Sequence, residues 1–341
     1  MSNRPHPPTM ADVAAAAGVS RALVSLVFRD QPGASDETRR RVREAAERLG
    51  YAPDARARLL SSSRTRLVGV VFGLQQEFHG EVVEALYAAA TARGYEVALG
   101  GTAPSRDEGA AVLSLLSYRC EALVLVGSTL TAQALSDLAA RVPLVVLARQ
   151  VGRPAGDAVR TDDVGGALLA TRHLLELGHR DIAHVGGGRA PGSRERRLGY
   201  RRALRAAGPT VQPRLATGGL TEEEGAAAAE RMLAEHLAGT RGLPTGVVAF
   251  NDRCALGLLA TFRSNGVEVP ERVSVVGYDD SRVARLPWAD LTTIRQNISV
   301  LATEAIRLAV DRIDAPGPPR DVVVAPELVV RGSTGRPPRM T

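Results

Sequence analysis

Residues 9–29 read TMADVAAAAGVSRALVSLVFR, and the reading of this stretch organises the rest of the chain. Thr9 is a helix-start residue with Asp12 three positions on, the spacing of a capping box. Val13, Ala14 and Ala17 recur on one helical face, and Gly18, lacking a Cβ, can take the left-handed conformation that ends a helix. Ser20 caps a second helix whose Val24 and Val27 point back at the first, with small Ala14 at the crossing. The spacing predicts a helix-turn-helix that leaves Arg21, Ala22, Ser25, Leu26 and Arg29 facing outward. Alone it fits a surface helical hairpin equally well, so the residues that follow decide.

Charge is distributed unevenly. Residues 1–66 hold 12 arginines against 7 acidic side chains, whereas the other 275 residues hold 31 against 30. Nearly all of the net +6 therefore sits with the helical hairpin, and a clustered basic patch is the footprint of a polyanion partner. Every basic residue is Arg, which reflects codon usage and carries little functional weight. Cys120 and Cys254 lie far apart in apolar surroundings and read as buried thiols in a reducing compartment. No apolar signal segment opens the chain and no run approaches ~18 apolar residues, so a cytoplasmic protein without a membrane partner is expected.

Residues 1–8 are Pro-rich and read as a disordered arm. Ser35 caps a third helix over 36–49, basic on one side (Arg39, Arg40, Arg41, Arg43), whose Val42, Ala45, Ala46 and Leu49 close a three-helix headpiece over 9–52. Residues 53–65 follow as a short helix with no core of its own, then a Ser-rich joint; so short a helix is marginal in water until something holds it. From Arg66 the pattern changes to apolar strands alternating with helices. The strands fall at 67–72, 95–99, 122–126 and 144–147, then at 182–185, 247–250 and 273–276. Uninterrupted apolar strands of this kind belong to parallel sheets covered on both faces, and two such sets predict two similar α/β lobes. The tail, 335–341, is expected to be disordered.

By this point the chain resembles the lactose/galactose-repressor (LacI/GalR) family of bacterial transcription regulators over essentially its whole length. The resemblance rests on several ordered motifs: TMADVAAAAGVSRALVS, SDETRRRVREAAERLGYAPDARARLL, LGHRDIAHVGG, RERRLGYRRAL, VVAFNDRCALG, RVSVVGYDD, LTTIRQ and ELVVRGST. It implies an all-α helix-turn-helix headpiece before a bilobed α/β core (66–334) of periplasmic-binding-protein-like type, whose chain crosses between lobes several times. One lobe is placed at about 66–160 and 292–322, the other at about 161–291 and 323–334. It also implies a homodimer on palindromic operator DNA, most simply a repressor, answering to a sugar or other small metabolite.

The resemblance puts the second helix in the major groove, with Arg21 and Ala22 as base readers and Thr9, Ser20, Ser25, Ser35, Thr38 and Tyr51 on phosphates. Two positions depart from the family pattern. Leu26 stands where relatives often carry a polar base reader, and is left to groove contact or to packing. Arg29 replaces a usual Asn and is either a DNA contact or a solvated charge. Leu60 would be the apolar wedge entering the minor groove at the operator centre, the alternative being plain linker.

For the effector, matching positions offer Phe78, Arg196, Asn251, Asp279 and Gln296; Arg196 and Asp279 either clamp the ligand or pair with each other across the cleft. Ala148, Leu220 and Ile298 replace a carboxylate and two aromatics of sugar-binding relatives, and Val126 is apolar where a polar group can occur. A smaller or more apolar effector, or none, fits that loss of stacking faces. No cofactor or metal is expected: none of the six histidines has metal-ligand spacing, and the glycines at 186–188 lack the Lys-Ser/Thr of a phosphate loop. With no nucleophile near a base, an enzyme is not expected either. A free-standing solute-binding protein would share the lobes but lack the basic headpiece.

Overall fold

A computed structural model describes residues 8–28, 30–51, 64–151 and 156–338. Arg29, Leu60 and nearly all of the expected hinge over 53–65 lie outside these residues. The chain divides into two units, residues 1–65 and 66–341.

In the first unit, α1 (Met10–Ala17) opens on a capping box, with Thr9 N–H donating to Asp12 Oδ2 at 2.7 Å and Asp12 N–H to Thr9 Oγ1 at 3.4 Å. Gly18 ends it at φ 64°, a left-handed conformation in which a Cβ would be strained. Ser20 Oγ accepts from Leu23 N–H at 3.1 Å and starts α2 (Arg21–Phe28), bent 103° from α1. Helix α3 (Asp36–Leu49) begins at Ser35, whose Oγ accepts from Thr38 N–H, and ends at left-handed Gly50. Val13, Ala17, Val24, Val27, Val42 and Ala45 are buried together as the core. Leu49, read as the end of the apolar stripe, is exposed instead. The basic side of α3 is internally engaged: Arg39 and Arg43 reach Asp30, Arg40 reaches Glu37 and Glu44, and Arg41 closes the end of α1 through the Ala17 carbonyl.

The second unit holds two six-stranded sheets. Strands β1 (Leu67–Gly73), β2 (Glu96–Thr102), β3 (Ala122–Val126), β4 (Leu144–Leu147), β5 (Asp157–Thr161) and β11 (Asp321–Val324) form the first, in the order β11-β5-β4-β3-β1-β2 and parallel throughout. The second, in the order β12-β10-β9-β8-β6-β7, comprises β6 (Ile182–Gly186), β7 (Arg214–Thr217), β8 (Gly246–Val248), β9 (Ser274–Asp279), β10 (Thr292–Arg295) and β12 (Glu327–Val329). Only β12 runs antiparallel in it, against β10. Helices α4 (Glu77–Thr91), α5 (Glu108–Ser117), α6 (Ala132–Ala139) and α11 (Ile298–Asp314) accompany the first sheet. Helices α7 (Asp163–Leu177), α8 (Ser193–Ala206), α9 (Glu222–Leu237) and α10 (Asp252–Ser264) accompany the second.

Two lobe boundaries differ from expectation. Strand β10, assigned above to the first lobe, pairs with β9 (Thr292 opposite Val276) and belongs to the second. The last crossing follows Val324, because all of β11 pairs with β5, and does not split the strand at 322/323. Next to a crossover, short strands such as Thr-Thr-Ile-Arg and Asp-Val-Val-Val carry no local signal for one sheet over the other, and only pairing assigns them. The described part of the tail is also ordered: Gly335 donates to Ser274 Oγ at 3.0 Å, and its carbonyl lies 2.9 Å from His179 Nε2.

Candidate DNA-reading face and effector cleft

Arg21 and Ala22 are exposed on the first turn of α2, and the Arg21 side chain takes no protein partner among the described residues. Thr9, Ser20 and Ser35 are exposed as well, but each hydroxyl already caps a helix, and the Thr9 N–H is also held by Asp12. Thr38 is half-buried, 2.9 Å from Ser35 Oγ. Ser25 is half-buried on α2, and Tyr51 tilts its ring against Phe28 at 5.8 Å. Leu26 does not face fully outward: it is half-buried, its Cδ1 only 3.2 Å from where a Cβ on Gly33 would stand. The loop after α2 therefore uses it as a packing residue.

The effector positions come together from distant parts of the sequence. A cleft of about 760 Å³ is ringed by the carboxyl ends of strands from both lobes: Phe72, Thr102, Val126 and Ala148 on one side, Gly187, Gly219, Phe250 and Asp279 on the other. Parallel sheets bring loops and helix N-termini to that end, which is where open α/β folds bind ligands. Phe78, Arg196, Asn251, Asp279 and Gln296 all line it. Ile298 does not; it packs against the first lobe's core.

Arg196 projects from α8 onto the cleft floor. Its Nε donates to Asp163 Oδ1 at 2.8 Å and its Nη1 to the Phe250 carbonyl at 2.6 Å. The guanidinium lies 3.6 Å from the Tyr278 ring centre and 4.6 Å from that of Phe250. Burial alone would disfavour its charge, but Asp163, with Tyr278 and Asp279 behind it, outweighs burial and holds the proton more tightly than usual. The partner is thus Asp163, not Asp279 across the cleft.

Asp279 Oδ1 accepts from Gln296 Nε2 at 2.7 Å, and Gln296 Oε1 accepts from Thr161 Oγ1 at 2.6 Å. Burial, reinforced by Asp252 and opposed by Arg196, raises the Asp279 carboxyl well above the usual range. Asn251 caps α10, accepting from Cys254 N–H at 2.9 Å and donating to the Leu220 carbonyl at 3.1 Å.

Sequence reasoning missed Asp163 and His79. Nothing in the spacing around Asp163 marks it, because its role depends on α7 and α8 packing side by side. His79 lines the opposite wall; its Nδ1 accepts from Gly73 N–H at 3.0 Å, which leaves the proton on Nε2. Burial pushes its pKa down to about 4, so the ring is a neutral donor. A Cβ on Gly127 would stand 2.8 Å from Nε2, so glycine there makes room for the ring.

Residues 9–54 match the bacterial regulatory proteins of the lacI family, and residues 171–334 match the periplasmic binding protein-like domain. The chain is 36% identical over 335 residues to the HTH-type transcriptional regulator GalR of Escherichia coli (strain K12), spanning 96% of both. A LacI transcriptional regulator from Rhodococcus species is 48% identical with a TM-score of 0.76, covering 80% of this chain and all of that one. The lac repressor dimer bound to operator and the anti-inducer ONPF superposes with a TM-score of 0.82 at 27% identity, covering 97% of this chain and 100% of that one. A basic helix-turn-helix ahead of a two-lobed cleft, shared with such relatives over almost the whole length, makes this chain a member of the LacI family of DNA-binding transcriptional regulators.

Proposed function

We propose that the protein is a cytoplasmic, homodimeric repressor whose hold on a palindromic operator is set by a small molecule in the cleft between the lobes. The observation that carries this reading is Arg21, exposed and unpartnered on the first turn of a helix whose every buried side chain is turned toward the headpiece core. Arg21 and Ala22 read base edges, while the capped starts of α1, α2 and α3 set register on phosphates. Tyr51, Ser25 and Thr38 add backbone contacts. Leu26 buttresses the loop beneath, and Arg29 and Leu60, outside the described residues, are assigned to DNA on the family resemblance alone. In the cleft, Arg196 and Asp279 face the ligand from the second lobe, Phe78 from the first, and Gln296 and Asn251 hold the walls. A ligand shifts operator affinity only by binding one arrangement of the lobes better than the other. No single described helix is long and apolar enough to cross a membrane.

Selection of random duplexes with the full-length protein tests the reading. Enrichment of an inverted repeat with a fixed guanine in each half-site is expected. A pool that stays random would refute it.

A further inference from the structure

The polar groups around the cleft divide unevenly. Three of its carboxylates each have one oxygen held from within the protein. Asp107 Oδ1 takes the Ala110 N–H at 2.7 Å, and Glu108 Oε2 takes the N–H and hydroxyl of Thr129 at 2.8 and 3.1 Å. Glu224 Oε2 takes the N–H groups of Leu220 and Thr221 at 2.7 and 3.2 Å. Glu108 Oε1 is sealed from solvent, so it cannot meet an occupant.

The donors are open. Arg189, in the loop after β6, makes no hydrogen bond or ion pair among the described residues, and Arg106 on the other lobe holds only Ser114 Oγ, at 2.8 Å. Arg196 is 7% exposed yet its Nη2 takes no partner and is not sealed, so that nitrogen opens to the cleft. His79 adds its Nε2–H, and the raised Asp279 carboxyl is driven toward the neutral form, which would not repel an anion. An occupant that satisfies such a lining must bring acceptors, and guanidinium groups favour planar or tetrahedral oxyanions.

We propose that the effector bears an oxyanion, carboxylate or phosphoryl, held by Arg106 of one lobe and Arg189 of the other, with its body reaching Arg196 and His79. This rests on the cleft being the effector site. One anionic group shared by two lobes favours whichever arrangement lets both guanidiniums reach it, which couples binding to lobe movement.

The test uses the bare headgroups as probes: inorganic phosphate and acetate, with ionic strength held constant by chloride, in thermal unfolding of the full chain. At about 20 mM one of them should raise Tm by about 2–4 °C. The doubly substituted Arg106→Gln, Arg189→Gln protein should keep the wild-type Tm in chloride, since neither side chain has an ion pair to lose, and should lose the rise. Arg241→Gln, an exposed control, should retain it. A response to phosphate alone identifies a phosphoryl compound, and to acetate alone a carboxylate. No rise with either anion, or a rise that survives the double substitution and so belongs elsewhere on the molecule, overturns the proposal. So does a rise with D-galactose or cellobiose while both anions fail; in that case the repressor reading stands, because it is judged separately by operator selection.

Discussion

Arg21 stands exposed on the first turn of α2 with no partner among the described residues, so its whole fork of donors is available to a base edge. Replacing it with Ala should reduce discrimination at one operator base pair by about 1–3 kcal/mol, read from affinities for single-base operator variants. Equal weakening on every variant would instead identify a phosphate contact. Arg196 is the opposite case, buried against Asp163 with side-chain exposures of 8% and 11%. Arg196→Ala strands the carboxylate of Asp163 in the interior and should cost about 3–5 kcal/mol of core stability in urea unfolding. Both arginines could be named from sequence, but only one of their partners could. Asp163 precedes Arg196 by 33 positions, and nothing short of helix packing brings them together.

At the scale of elements, local chemistry was legible wherever one turn of chain decides the outcome. The capping box at Thr9, the caps at Ser20 and Ser35, and the left-handed stops at Gly18 and Gly50 all depend on residues within four positions. Gly18→Val should therefore weaken the headpiece by about 1–2 kcal/mol, since a β-branched residue resists positive φ. A fall in operator affinity with an unchanged unfolding transition of the core would check it. What local chemistry could not decide was ownership. Strand β10, Thr-Thr-Ile-Arg, carries no local signal that names its lobe, and α3's arginines look free until Asp30, Glu37, Glu44 and the Ala17 carbonyl are seen to hold them. Leu26 reads as outward-facing on a helical wheel, yet the Gly33 turn covers it.

For the whole molecule, buried ionisable groups in both lobes make stability depend on pH in opposing senses. His79 and His184 are pushed by burial from the usual 6.5 to about 4. As pH falls through that interval the unfolded chain binds protons that the folded rings refuse, so their stabilisation is lost on acidification. Asp252 runs the other way. Burial raises it from 3.8 to about 7, so the folded chain holds the extra proton and stability falls as pH rises toward 7. Asp252→Asn should remove that opposition and steepen the loss of stability between about pH 7 and pH 5 by about 1.4 kcal/mol per pH unit. Urea unfolding at a series of pH values measures the slope; an unchanged slope would mean that Asp252 stays ionised throughout. Because residues 1–65 and 66–341 separate as compact units, deleting the first should abolish operator binding while the core keeps a cooperative thermal transition.

The amino-acid sequence by itself determined the helix-turn-helix, the caps, the alternation of strands and helices, and the family. Each of these is written in residues a few positions apart or in motifs kept in order. The tertiary structure decided which lobe owns β10 and β11, and that Asp163 and not Asp279 holds Arg196. Those facts depend on contacts between segments tens to hundreds of residues apart. Hydrophobic periodicity says that a residue is buried, but not which distant polar group it is buried against.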